Sequence, residues 1–171
     1  AVSKSEKEYR TLFENASVGI LVAQDQMLRF VNPQMEKLLG FTQAELTSRS
    51  VTDFFHQDDH DMIRERHEKR LKGESVPEVY DTRIVDRNGN IKWVEVKVVP
   101  IQWDDRAAAL GFMTDITERK RAEEELSRNV EELERFNKLA IGRELKMIQL
   151  KEEINELLSQ SNQVKRYKIV K

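Results

Sequence analysis

Asp115-Ile116-Thr117-Glu118-Arg119-Lys120 is the stretch where one periodicity gives way to another. Upstream, apolar residues alternate: Val94, Val96 and Val98, then Leu110 and Phe112, with Thr114 continuing the row. A period of two belongs to strands. Downstream, Leu126, Val130, Leu133, Ala140, Met147 and Ile154 follow helical spacing. Asp115 with Glu118 three residues later reads as a variant capping box, so a helix start is predicted here. A sheet domain joined directly to an amphipathic helix suits the passing of a signal better than catalysis.

Working back towards the N-terminus, Ser5 and Glu8 form a capping-box pattern. Tyr9, Leu12 and Phe13 give the short helix that follows an apolar stripe. Residues 18–23 and 27–31 read as strands joined at Asp25-Gln26. Asn32-Pro33 reads as an N-cap followed by proline in the first turn, and Gly40 as the stop of that short helix. Thr42 and Glu45 make another capping box. Asp58 or Asp59 is expected to cap a longer helix carrying Met62, Ile63 and Leu71 and ending near Gly73. Three more strands are predicted over 78–86, 91–103 and 107–116. The first two are joined at Asn88-Gly89, a dipeptide that tolerates positive φ, and the last two turn at Asp104-Asp105-Arg106. Strand runs separated by a helical block predict an α+β fold: a five-stranded antiparallel sheet with helices on one face, plus a long C-terminal helix. Two regions are expected, a sheet domain over 1–120 with its N-terminal cap helix and a helical extension over 121–171.

Composition narrows the function. The chain has 171 residues, 29 basic and 31 acidic, for a formal net charge of −2, so no global field draws it to nucleic acid or to a membrane. There is no cysteine, which excludes disulfides, thiolate nucleophiles and cysteinyl adducts of flavin. The longest apolar run, 18–23, is far short of the ~20 residues that span a bilayer. The cytoplasm is the expected location. The chain opens at Ala1 rather than Met, as a piece of a larger protein would, whereas residues 167–171 read more like an end than a run into a further domain.

Taken together, Tyr9-Arg10-Thr11-Leu12-Phe13-Glu14, Phe30-Val31-Asn32-Pro33, Leu38-Leu39-Gly40-Phe41, His56-Gln57-Asp58-Asp59 and the Asp-Ile-Thr exit at 115–117 occur in an order that resembles PAS sensor domains. Gln57 departs from the proline that family often carries after this histidine. The resemblance implies a non-catalytic sensory or dimerising module of a signalling protein, with Asp115, Ile116 and Thr117 as the junction through which signal leaves the sheet. It also implies a pocket between sheet and helices. Candidate lining residues are Phe30, Asn32, Leu39, Phe54, Ile63, Tyr80, Thr82, Ile84, Val96 and Thr114, open to a small-molecule ligand but equally readable as a filled core. Some PAS proteins hold haem through a histidine on the long helix, where His60 lies, and Thr82-Arg83-Ile84-Val85 resembles the oxygen-sensing members. The charged row Arg64, Glu65, Arg66, Glu68 and Lys69 reads instead as a solvated face, so haem at His60 is the weaker reading. Non-covalent flavin is left open. No metal site is expected from His56, His60 and His67 among their neighbouring aspartates.

The tail has the 4-3-4-3 spacing of a coiled-coil seam at Leu126, Val130, Leu133, Asn137 and Ala140; beyond Gly142 the seam shifts, and Met147, Leu150, Ile154, Leu157, Ser161 and Val164 keep heptad spacing with the companion row displaced. Asn137 would be the buried polar position that sets register. A helix of this length needs a partner, so a homodimer through the N-terminal helix and the coil is expected, with the downstream partner open. The segment from Glu132 also resembles the phosphoacceptor helix of sensor histidine kinases, yet Gly142-Arg143 stand where that family needs a histidine and an acid. No histidine follows His67, and no phosphate-cradling glycine loop is present. Catalysis is therefore not expected. A kinase fragment lacking its catalytic parts and a ligand-free structural dimeriser are the alternative readings.

Overall fold

The computed structural model describes residues 4–161; Val164 of the expected seam and the 167–171 end lie outside them. Helix α1 (Lys4–Glu14) is followed by strands β1 (Gly19–Gln24) and β2 (Met27–Val31). Helices α2 (Pro33–Leu39) and α3 (Gln43–Thr47), two 3-10 turns at Val51–Phe54 and Gln57–Asp59, and helix α4 (His60–Leu71) form the central block. Strands β3 (Val79–Val85), β4 (Ile91–Trp103) and β5 (Arg106–Asp115) then lead into helix α5 (Thr117–Gln160). All pairings are antiparallel, in the order β2-β1-β5-β4-β3. The chain divides into two compact units, Ala1–Lys120 and Arg121–Lys171.

Turn chemistry explains how the strands are joined. Asp25 and Gln26 both take positive φ, as do Asp104 and Asp105, so each pair forms a two-residue primed turn matched to strand twist. The turn expected at Asn88-Gly89 is longer. Of those two residues only Gly89 has positive φ. Asp86 organises the loop, its carboxylate accepting from the Asn88 and Asn90 amides at 2.9 Å each and from the Asn90 side chain at 3.0 Å. Asn32 behaves as its dipeptide predicts. Its Oδ1 accepts the Ile20 and Met35 amides at 2.8 and 3.2 Å, and its Nδ2 donates to the Val18 and Phe13 carbonyls at 3.0 and 3.3 Å. Gly40 closes α2 in the left-handed region at φ 76°, where a side chain would be strained.

The core lies between the inner sheet face and helices α2–α4. Val94, Val96 and Val98 of β4 point into it, with Leu21 and Ala23 of β1, Ile84 of β3, and Met35, Leu39, Phe54 and Ile63 opposite. Residues paired directly across antiparallel strands share a face. Val96 pairs with Met113 and Val98 with Gly111, so Ala109, Gly111 and Met113 are the inward row of β5. Thr114, expected in the pocket, is therefore exposed on the other parity.

Phe30 departs from expectation for a related reason. Between Val22↔Phe30 and Ala23↔Leu28 the register skips Arg29, a bulge that reverses facing along β2. Leu28 and Val31 enter the core, while Phe30 packs on the outer face, 4.6 Å from the Phe13 ring and 6.1 Å from Trp103. Helix α1 thus reaches the outer face through Phe13, as anticipated for a covering element. Tyr9 and Leu12 remain 71% exposed, beside a groove of about 740 Å³ lined also by Ile20, Phe30 and Pro33.

Candidate functional site

Two places carry chemistry: a small cavity in the core and the junction at the start of α5. The cavity, of about 40 Å³, is lined by Leu21, Ala23, Val51, Phe55, Ile63, His67, Arg70, Tyr80, Val96, Val98, Ala109, Gly111 and Met113. Of the pocket residues expected from the sequence, Ile63, Tyr80 and Val96 meet there. Leu39, Phe54 and Ile84 surround a second void of about 10 Å³, too small for a ligand. Asn32 spends its polar atoms on the backbone, as described above. Thr82 is buried and donates its hydroxyl to Asp59 Oδ2 at 3.1 Å, so neither residue offers a ligand a free handle.

Helix α4 differs from its sequence reading in two respects. Asp59, at the capping position, makes no side-chain cap. Its carboxylate instead takes the Arg83 guanidinium at 2.6 and 3.1 Å and the Arg83 amide at 3.1 Å, and the first of these causes, the Arg83 side-chain hydrogen bonds, holds the acid below its ordinary range. The charged row is also not uniformly solvated. Arg66 lies over the Tyr80 ring at 4.2 Å and has a buried Nη1 without a hydrogen-bond partner. Burial first, then the charge on Arg70, pushes the His67 imidazole below the usual histidine range, so it is neutral near pH 7. Its Nε2 is buried and unpaired. Each such orphan costs about 1–3 kcal/mol relative to a paired group.

Arg70 is only 7% exposed and donates to the Pro77 carbonyl at 3.2 Å. Sequence reading missed this trio because lysine-, arginine- and glutamate-rich helices are normally solvated; the spacing of Ile63, His67 and Arg70 along one face was the available signal. His60, the haem candidate, lies outside the cavity, with Nε2 2.9 Å from the Phe55 carbonyl. Among the described residues no group of three or more histidines or acids is placed to hold a metal ion. No described helix is long and apolar enough to cross a membrane.

The junction is built around Trp93. The Ile116 amide donates to the Trp93 carbonyl at 2.9 Å, and the Trp93 amide donates to Thr117 Oγ1 at 3.0 Å. Strand pairing thus continues through the first residues of the exit. Asp115 Oδ1 accepts the Thr117 amide at 2.9 Å, which satisfies one of the free donors at the helix start. Asp115 thus meets the helix start, through a bond that runs to Thr117, two residues on. Thr117 is tied to β4 by its hydroxyl. Lys120 reaches Asp81 at 2.7 Å, and Arg119 lies 3.7 Å from both Asp81 and Glu95. The Trp93 ring has Lys120 Nζ 5.2 Å from its centroid and the Arg83 guanidinium at 5.8 Å. One tryptophan therefore touches the start of α5 and, through Arg83, the Asp59 that precedes α4.

Along α5 the helix runs unbroken through Gly142. The seam residues are exposed in the single chain: Leu126 65%, Val130 45%, Leu133 62%, Met147 54% and Ile154 37%, with Asn137 and Ala140 exposed as well.

A family model described as the PAS fold matches residues 7–116, well over half of the chain. The sensor histidine kinase TmoS of Ectopseudomonas mendocina is 24% identical over 162 residues, 93% of this chain and 16% of that protein. Sporulation kinase C of Bacillus subtilis is 31% identical over 121 residues, 69% of this chain and 28% of its own length. The chain thus spans less than a third of either relative. Among solved structures, the PAS domain of a Colwellia psychrerythraea protein matches with a TM-score of 0.59 at 22% identity, covering 66% of this chain and 97% of that one. The PAS domain of an HTR-like protein from Haloarcula marismortui gives 0.56 at 25% identity, with 66% and 93% covered. The chain belongs to the PAS fold family and is a signal-transduction sensory module related to the sensory regions of sensor histidine kinases.

Proposed function

We propose that this chain senses a condition at its core and passes it to a parallel homodimeric coil formed by α5. The observation that carries the reading is the double attachment of Trp93. A shift of α4 moves Asp59 and its partner Arg83, which stands at the Trp93 ring, while the Trp93 backbone and ring hold Ile116, Thr117 and Lys120. Rotation or tilt at that point displaces every seam residue downstream, because a helix transmits its own rotation. The seam supports the dimer: its large apolar side chains face solvent in one chain, and a partner helix covers them. Exposed Tyr9 and Leu12 of α1 offer a second surface for the same partner.

The test uses the absence of native cysteine. Val130→Cys should form an intermolecular disulfide readily under mild oxidation, since a parallel in-register coil sets residue 130 against its own copy. Arg135→Cys, on the opposite side of the helix, should not. Arg83→Met should alter the Val130→Cys cross-linking rate if the relay runs through Trp93. Equal cross-linking at 130 and 135 would defeat the coil reading.

The similarity to kinases supports a second reading, in which the chain is the input of a longer kinase. In that reading phosphorylation belongs elsewhere in the protein, because Gly142-Arg143 replace the phosphoacceptor pair. Incubation with labelled ATP should leave this chain unlabelled; stoichiometric labelling would make it an enzyme.

A further inference from the structure

We propose that the core cavity under α4 is a receptor site for a short-chain aliphatic monocarboxylate, with its head group at His67 and Arg70 and its alkyl tail among Ile63, Val96 and Met113. The inference rests on reading the core as sensory and adds the class of ligand. Its basis is a mismatch between the cavity's charge and its partners. Arg70 is 93% withdrawn from solvent by its 7% exposure, yet its hydrogen bond goes to a neutral carbonyl, and Glu78 acts on it only as a longer-range charge. His67 is 9% exposed, lines the cavity, and has an unpaired Nε2. Arg66, stacked on the Tyr80 ring that lines the same cavity, adds a second guanidinium with a buried, unpaired nitrogen. No acidic side chain lines the cavity.

Buried positive charge whose counter-charges act only from a distance is what an anion in contact relieves, and a planar carboxylate matches the fork of an arginine. In the neutral His67 tautomer with its proton on Nε2, that atom donates a second hydrogen bond. Size and lining select the rest of the molecule. A water needs about 10–15 Å³ of such space, so about 40 Å³ admits roughly three water-sized groups. Acetate, with four non-hydrogen atoms, sits at that limit, and propionate, with five, tests its upper edge. An aromatic acid exceeds it, and a second carboxylate or a phosphate would set charged oxygens against Ile63, Val96 and Met113. Gly111 helps keep the space open: a Cβ there would approach Leu21 Cδ1 to 3.0 Å.

The experiment is thermal unfolding of the full chain against sodium acetate and sodium propionate, with sodium chloride at matched ionic strength and 1-propanol as the neutral analogue. A saturable rise in Tm that follows mass action is expected for the carboxylates, with 1-propanol at least about tenfold weaker. Arg70→Met should weaken the apparent Kd at least about tenfold, while Arg64→Met, exposed on the same helix, should not change it. Should Arg70→Met fail to fold, His67→Phe and the cavity-filling Ala109→Val, each checked by circular dichroism, must show the same loss. No saturable shift with either carboxylate, or undiminished binding in the folded variants, overturns the assignment and leaves water as the occupant. Sedimentation of the same samples separates the two readings: a dimer with no saturable carboxylate shift removes the carboxylate alone, whereas a monomer removes the signalling coil.

Discussion

The PAS core and helix α5 satisfy their apolar residues in opposite ways. In the core, Ile84 and Val94 are fully buried and Leu39 is 1% exposed. In α5, Leu126 and Leu133 are more than 60% exposed, although the helix is rich in Leu, Ile and Met. The core has a folded solution within one chain; the helix has only half of one. A 44-residue helix whose seam side chains are exposed among the described residues gains most of its stability from packing, so the proposed dimer contact is where a signal can be read out at little cost to the fold.

The sharpest way to break this contrast is to charge the seam. Leu126→Lys with Leu133→Lys removes four leucines from a dimer interface at about 1.5–3 kcal/mol each. Monomers by sedimentation and loss of helical circular dichroism from α5 are expected, with the core's unfolding transition intact. Ile84→Ala probes the other region: a fully buried side chain should cost about 2–5 kcal/mol of core stability by chemical denaturation, leaving the dimer in place below the transition.

Asp59→Asn should cost about 1.5–3 kcal/mol through its lost charge-assisted hydrogen bonds to Arg83, and should shift Trp93 fluorescence. Its pH signature has a definite sign. The folded acid lies below its ordinary value, so its stabilisation is complete above the unfolded pKa of about 3.9 and fades as pH falls through the lower folded value. The Asn variant should lack that acid limb. Smallest is Asp115→Ala, which should cost about 1 kcal/mol and fray the start of α5 by hydrogen exchange while keeping the dimer.

How far the sequence was legible follows from which cues are local. Period-two alternation and turn dipeptides placed the five strands to within a residue or two, and Asn32, Gly40 and Thr42–Glu45 cap as their spacing implies. Facing was harder wherever both sides of a strand are apolar. Leu110 and Phe112 look like the core row of β5, but pairing with Val96 and Val98 turns the smaller Ala109, Gly111 and Met113 inward and leaves Thr114 outside. The bulge at Arg29 carries no sequence mark, so alternation alone sets Phe30 on the wrong face. The polar lining at His67 and Arg70 was hidden because burial of a charged helical residue depends on what the sheet brings opposite it. At the junction the Asp-Ile-Thr exit was readable, whereas its anchorage on Trp93 depends on β4 lying alongside, 24 residues earlier in the chain.

Sedimentation equilibrium of the unmodified chain at roughly tens of micromolar tests the central claim most directly. The account requires a dimer of twice the 20.1 kDa chain mass that persists without added ligand. A monomer under those conditions would contradict it, because α5 would then hold its apolar seam in water with no partner to receive the signal from Trp93.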